Sequence, residues 1–225
     1  MITQLIDKKD NFEIVGDQIA AILKVNIENQ KSLASAAGKD PALWDLRIFS
    51  ERNNPWGEFQ DATGPEAPIV NVWFDSSDSD RAGSSVVDEQ KTTGVYNVDI
   101  YACGISVETA EGHDPGDESS ARTLHRAIRL VRNILMSGAY TYLGLPRKKK
   151  QFVWGREVAS VNIFQPSADD ATMQNIIGAR IAFRVTFTEK SPQVEFENLD
   201  EIAVRVIRAE NGEILLQTEY HYNGT

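Results

Sequence analysis

The residues able to do acid–base, nucleophilic or metal chemistry are few and poorly spaced. The three histidines, His113, His125 and His221, fall into no His-x-x-x-His or His-Glu-x-x-His arrangement, the spacing that puts two zinc ligands on one helix face. A single cysteine, Cys103, excludes an intramolecular disulfide and a Cys-based zinc site. It ends an apolar strand pattern, where a small buried hydrophobe is expected rather than a nucleophile. No Gly-x-Ser-x-Gly elbow, phosphate-cradling loop or dinucleotide fingerprint occurs. One partial motif stands out. Asp78, Asp80, Gly83 and Glu89 occupy positions 1, 3, 6 and 12 of a calcium-type loop. Ala82 at position 5 removes an oxygen ligand, and the run before it reads as a strand, not an entering helix. The segment therefore reads as a solvated acidic hairpin tip. Acidic residues are too widespread to single out a paired-carboxylate site. The basic run Arg147–Lys150 is open to two readings, a phosphate contact or a solvated loop. No catalytic residue, metal ligand or cofactor is assigned.

The elements that would have to position any site come from composition and periodicity. With 225 residues, 41% hydrophobic and 25% charged, the chain suffices for about one domain with a sizeable core. Such values exclude a largely disordered chain, a coiled coil and a collagen-like fibre. No apolar run approaches the roughly 20 residues that span a bilayer. Met1–Asp10 has neither the apolar centre nor the cleavage site of a secretory signal. A net charge of −10 repels phosphate backbones and argues against general nucleic-acid binding. The charge is uneven: acids gather in 75–80 and 108–118, bases in 122–150. Two readings stand open, complementary surfaces between copies of the chain or two solvated faces.

A first helix is predicted from Phe12 to about Ser35. Asp10 or Asn11 caps it, and Ile14, Gln18, Ala21, Ile22 and Val25 form its stripe. Residues 39–68 read as irregular but aromatic, with Trp44, Phe49, Trp56 and Phe59 set to pack on the domain's own sheet or on a neighbour. Strands follow at 69–74 and 94–103, joined by a long exposed loop over 75–94. In the second strand Tyr96, Val98, Ile100 and Ala102 should point at a helix, and Val95, Asn97, Asp99 and Tyr101 away from it. The clearest helix runs from Ser119 to about Ser137. At about 100° per residue, Leu124, Ala127, Ile128, Val131, Ile134 and Leu135 make its apolar stripe. Arg122, His125, Arg126, Arg129 and Arg132 make the opposite one. Strands at 153–164 and 175–189 follow, then a hairpin of 202–209 and 213–222 turned by Asn211-Gly212. The pattern is α+β: a mostly antiparallel sheet, helices packed on one face, and a C-terminal β-hairpin extension.

Three segments carry a resemblance: Val95–Ala102, Ala121–Leu135 and Ala179–Phe187. Together they look like the core of the tail terminator proteins of long-tailed bacteriophages, also called tail-completion or neck proteins. The resemblance covers about residues 10–190 and rests on topology and texture, since that family has no invariant catalytic motif. It implies a terminator-like α+β domain over 1–192, with 193–225 as the hairpin extension. It also implies a structural protein and not an enzyme. Copies would form a hexameric ring that caps the head-proximal end of the tail tube, ends its polymerisation and joins tail to neck. The implied partners are the chain itself, the tail tube protein, a neck or connector protein and, in contractile phages, a sheath or collar protein. DNA would pass through the lumen without sequence-specific contact, and no membrane is involved. The location would be the virion's tail–neck junction, after assembly in the host cytoplasm.

A heterologous ring needs two complementary faces per subunit. Arg122, Arg126, Arg129 and Arg132 are the candidate interface cations, with an acidic loop such as 108–118 as their counterpart. Trp44 and Trp56 are candidate anchors, because Trp and Arg are enriched where interfaces carry energy. Solvation of the stripe and own-domain packing of each Trp are the alternatives. Two rival functions remain: a head–tail connector or adaptor of the neck, and a small calcium-binding or hydrolytic α+β protein.

Overall fold

The computed structural model describes residues 5–59, 66–79, 89–109, 112–145, 152–166, 175–190, 201–207 and 214–221. Its chain divides into two compact units, Asp7–Pro192 and a second that includes the C-terminal hairpin.

The larger unit is organised by a sheet that buries one face under two helices. Its strands are β1 (Arg47–Ser50), β2 (Ile69–Ser79), β3 (Glu89–Cys103), β6 (Val153–Phe164) and β7 (Ile176–Lys190), in the order β1-β2-β3-β7-β6. Only β1 runs parallel to its neighbour; every other pair is antiparallel. Helix α1 spans Asn11–Ala36 and α2 spans Gly116–Leu135. Both pack on the face that carries Tyr96, Val98, Ile100, Ile181, Phe183 and Val185, all without solvent exposure. The fold is thus α+β with both helices on one side of a mixed, mostly antiparallel sheet. A short hairpin, β4 (Val107–Thr109) with β5 (Gly112–Asp114), stands before α2. In the second unit β8 (Glu201–Ile207) and β9 (Ile214–His221) form a two-stranded antiparallel sheet.

Helix α2 follows its predicted stripe, with Leu124, Ala127, Val131, Ile134 and Leu135 buried. Its start differs from expectation. It begins at Gly116 behind Pro115, so Ser119 and Ser120 lie inside the first turns and do not cap it. The Ser106 hydroxyl takes the Gly116 N–H instead (3.1 Å), and Ser120 donates to the Asp117 carbonyl (2.8 Å). Asp117 and Glu118 in that first turn favour the positive end of the helix dipole. The entry is tight: a Cβ on Gly104 would meet the Gly116 carbonyl oxygen at 1.9 Å, so only glycine fits there.

Helix α1 keeps its predicted extent but not its predicted face. The large buried residues are Val15, Ile19, Ile22, Leu23 and Ile27, and Val25 is 68% exposed. Apolar side chains lie on several sides of this helix, and docking on the sheet selects the stripe. Its N-terminus is held from two directions. The Asp10 N–H donates to Glu13 (2.9 Å), and the Asn11 and Phe12 N–H groups donate to the Glu189 carboxylate (3.1 and 3.2 Å).

Two further expectations are corrected. Residues 39–68 are not simply irregular: they contain 3-10 turns at Pro41–Trp44 and Pro55–Phe59 and the strand β1. Within the 75–94 segment the described residues, 75–79 and 89–94, are strand. β2 continues to Ser79, and β3 is already paired at Glu89, opposite Lys190 of β7. Pairing with β7 extends the ladder through polar residues, and hydroxyl contacts line it: Ser79–Thr92 (3.3 Å) and Thr93–Thr186 (3.1 Å). Positions 80–88 of the calcium-type pattern, and the basic run 147–150, lie outside the described residues.

Candidate interaction surfaces

The outer face of α2 carries the basic stripe, but its members differ in what they touch. Arg122 is satisfied within its own chain. Its Nη2 reaches both Asp114 carboxylate oxygens (2.6 and 2.7 Å) and its Nη1 reaches Glu118 (2.9 Å). These carboxylates raise the Arg122 pKa, Asp114 foremost. The acidic stretch 108–118 therefore neutralises the start of the stripe in cis. Arg126 bends over the helix end of a cavity of about 370 Å³ and donates to the Leu43 carbonyl at 3.4 Å. Further along, Arg129 and Arg132 are exposed, with no ion pair among the described residues. Met136, one turn on, is 44% exposed.

The candidate tryptophans sit in own-domain surroundings. Trp44 is half-buried at the end of its 3-10 turn, with the Lys39 ammonium 5.8 Å from its ring centre. Trp56 belongs to a small cluster with Phe59, Ile69, Tyr101 and Ile176, and its ring lies 5.4 Å from that of Tyr101. That cluster covers one end of the sheet face turned away from the helices.

The rest of this open face carries a polar and aromatic platform not foreseen from the sequence. Asp99, only 2% exposed, accepts Nε of Arg180 at 2.7 Å and Nη2 at 2.8 Å. The Trp73 indole N–H donates to the same carboxylate (2.9 Å), and so does the Tyr101 hydroxyl (3.4 Å). The Arg180 guanidinium lies 5.0 Å from the Trp73 ring centre and 5.9 Å from that of Phe164. This bidentate pairing with Asp99 raises the Arg180 pKa. The sequence placed Asp99 on this face, but register alone sets Arg180 opposite it. Register is set by the whole sheet and cannot be read from either strand.

Toward the far end of the same face, a groove of about 530 Å³ lies between the extended β2–β3 hairpin and β6. Asp78, Glu157 and Arg184 stand among its walls, with Thr93, Val95 and Thr186 on its floor.

The groups of classical reactivity are not brought together: His125 stands on the α2 stripe, and Cys103 packs beside the Trp56 cluster. His113 contacts Glu108 (2.9 Å) in the β4–β5 hairpin, and His125 is exposed on α2. Burial pushes the Cys103 thiol pKa up, with the charge of Glu66 adding to it, which disfavours the thiolate. Among the described residues no group of three or more His, Cys, Asp or Glu could hold a metal ion. No described helix is long and apolar enough to cross a membrane. No family model matches the chain, and no curated protein matches it in sequence.

Proposed function

We propose that the chain is a structural assembly protein of the tail-terminator type. In this reading its copies form a ring that caps the head-proximal end of a phage tail tube. The ring stops the tube's polymerisation and joins tail to neck, where the protein resides in the virion. Its function lies in interfaces and not in catalysis. Its partners are further copies, the tail tube protein and a neck connector, with a sheath or collar protein in a contractile tail.

The observation that supports the reading is the order and layering of the elements. An N-terminal helix, a strand pair extended into a long hairpin, a second helix and two closing strands make one sheet with both helices on one face. That is the arrangement the resemblance implies. It leaves each subunit two unlike surfaces, the basic face of α2 and the open face of the sheet, as a heterologous ring requires.

The test is negative-stain imaging of the purified protein, with and without polymerising tail tubes. Rings, or density capping one tube end, are expected. Monodisperse monomers that leave tube length and tube ends unchanged would overturn the reading.

A further inference from the structure

A ring of identical subunits needs a defined acceptor for the α2 face, and the open face of the sheet offers one of matching charge. The groove between the β2–β3 hairpin and β6 has room for more than one side chain, at about 530 Å³. Among the described residues no atom lies within 4 Å of the place a Cβ would take on Gly155, so the β6 side of the groove is open to them. The cations that line it already have partners, Arg156 outside the groove and Arg184 within it. Arg156 donates to the carbonyls of Tyr140 and Ser137, and Arg184 pairs with Glu157 at 3.3 Å. The exposed carboxylate of Asp78, in the groove wall, has no ion pair among the described residues; neither has that of Asp75, three residues earlier on the same strand, although its charge is felt by Arg180. Arg129 and Arg132 are their mirror image: exposed cations without a counter-ion among those residues.

Both pairs stay solvated in an isolated subunit, and each supplies what the other lacks. They lie on opposite sides of the sheet, so a contact between them is head-to-tail and repeats from copy to copy. Met136 adds an apolar contact beside the two arginines, and Arg and Met are enriched in interfaces. We propose that the groove flanked by Asp75 and Asp78 on one copy receives Arg129 and Arg132 of the next. The proposal rests on the ring reading and names its subunit contact. Arg122 is left outside the contact, since its own chain neutralises it.

The test uses the full-length chain in sedimentation velocity over a concentration series at low and high salt. Parallel imaging is done with and without tail tubes. Wild type is expected to assemble, more weakly at high salt. R129E/R132E and D75K/D78K should each raise the concentration needed for assembly at least tenfold. All four positions are exposed, so circular dichroism should be unchanged; because Arg132 lies in the last turn of α2 and Asp75 acts on Arg180, the melting temperature should move by no more than about 4 °C. An equimolar mixture of the two double variants should recover assembly, because each then offers the charge the other needs. If both double variants assemble like wild type, the contact is elsewhere and this inference fails, while the ring reading stands. If wild type forms neither rings nor tube caps, both fail together.

Discussion

On the face of the sheet turned to the helices, Tyr96, Val98, Ile100, Ala179, Ile181 and Phe183 are wholly buried. One residue along the same strands, on the opposite face, stand Asn97, Asp99, Arg180 and Arg184. The period-2 alternation of a strand sets these two environments side by side. The covered face has cohesion from apolar contact, at about 2 kcal/mol for each large side chain fully buried. The open face has a carboxylate that is itself buried, bound to a guanidinium whose side chain is 41% exposed and flanked by two aromatic rings. One face resists change in volume; the other resists change in charge. A surface presented to a partner can be altered there with little disturbance to the core behind it.

Phe183→Ala should have the largest effect, because it opens a cavity in the middle of the covered face. A loss of about 3–5 kcal/mol is expected for a buried Phe truncated to Ala. Urea unfolding followed by circular dichroism measures it. A loss under about 1 kcal/mol would mean that α1 and α2 can collapse onto the gap, and the rigid-core half of the comparison would fail.

Asp99→Asn probes the open face with little change of shape. Removing one partner of a fully buried ion pair costs about 3–5 kcal/mol. Arg180 can turn to water, so the expected loss here is smaller, about 1–2 kcal/mol. A double-mutant cycle with Arg180→Met separates the pair from its surroundings. A coupling energy near zero would show that the platform is a set of independent residues.

The two faces were not equally legible. In α2 the apolar and basic stripes do not overlap, so Leu124 through Leu135 and Arg122 through Arg132 could be placed on opposite sides from spacing alone. In α1 both Ile22–Val25 and Val15–Leu23 offer plausible faces, and only docking on the sheet selects the second. Alternation in β3 correctly separated Tyr96, Val98 and Ile100 from Asn97, Asp99 and Tyr101. It could not bring Arg180 to Asp99, since these residues are 81 positions apart and meet through register. β1 escaped notice because it has four residues and pairs in parallel with a strand more than twenty positions away. The 75–79 and 89–94 segments read as loop because they are polar, whereas their strand character comes from partners: 76–79 pair with β3, and 89–94 with β7 as well. In the basic stripe, Arg122 reads as a subunit contact only when the i, i+4 spacing from Glu118 that neutralises it in cis is passed over. The Asp114 contact needed the turn into α2.

Two tyrosines, one on each face, sharpen the comparison under alkaline conditions. The Tyr96 hydroxyl donates to the Phe12 carbonyl at 2.8 Å, and burial raises its pKa far above normal, with Glu189 and Glu51 adding to the effect. Tyr101 is raised in the same direction, by burial first and then by the charge of Asp99. In the unfolded chain both phenols titrate near pH 10. Above that pH the unfolded state sheds protons that the folded state retains, so stability is full below about pH 10 and falls as pH rises toward the folded values. For Tyr96 the slope is about 1.4 kcal/mol per pH unit, one proton's worth. Tyr96→Phe should remove one proton from the slope, and it should also lower stability at neutral pH through the lost hydrogen bond, by about 1 kcal/mol. Tyr101→Phe should remove one proton as well, with less effect at neutral pH, since its 3.4 Å bond to Asp99 is long. Comparing variants with wild type cancels the lysines that titrate in the same range. If Tyr101→Phe leaves the alkaline slope unchanged, water reaches that phenol in the folded state, and the aromatic end of the open face is wet while the helix-covered face is dry.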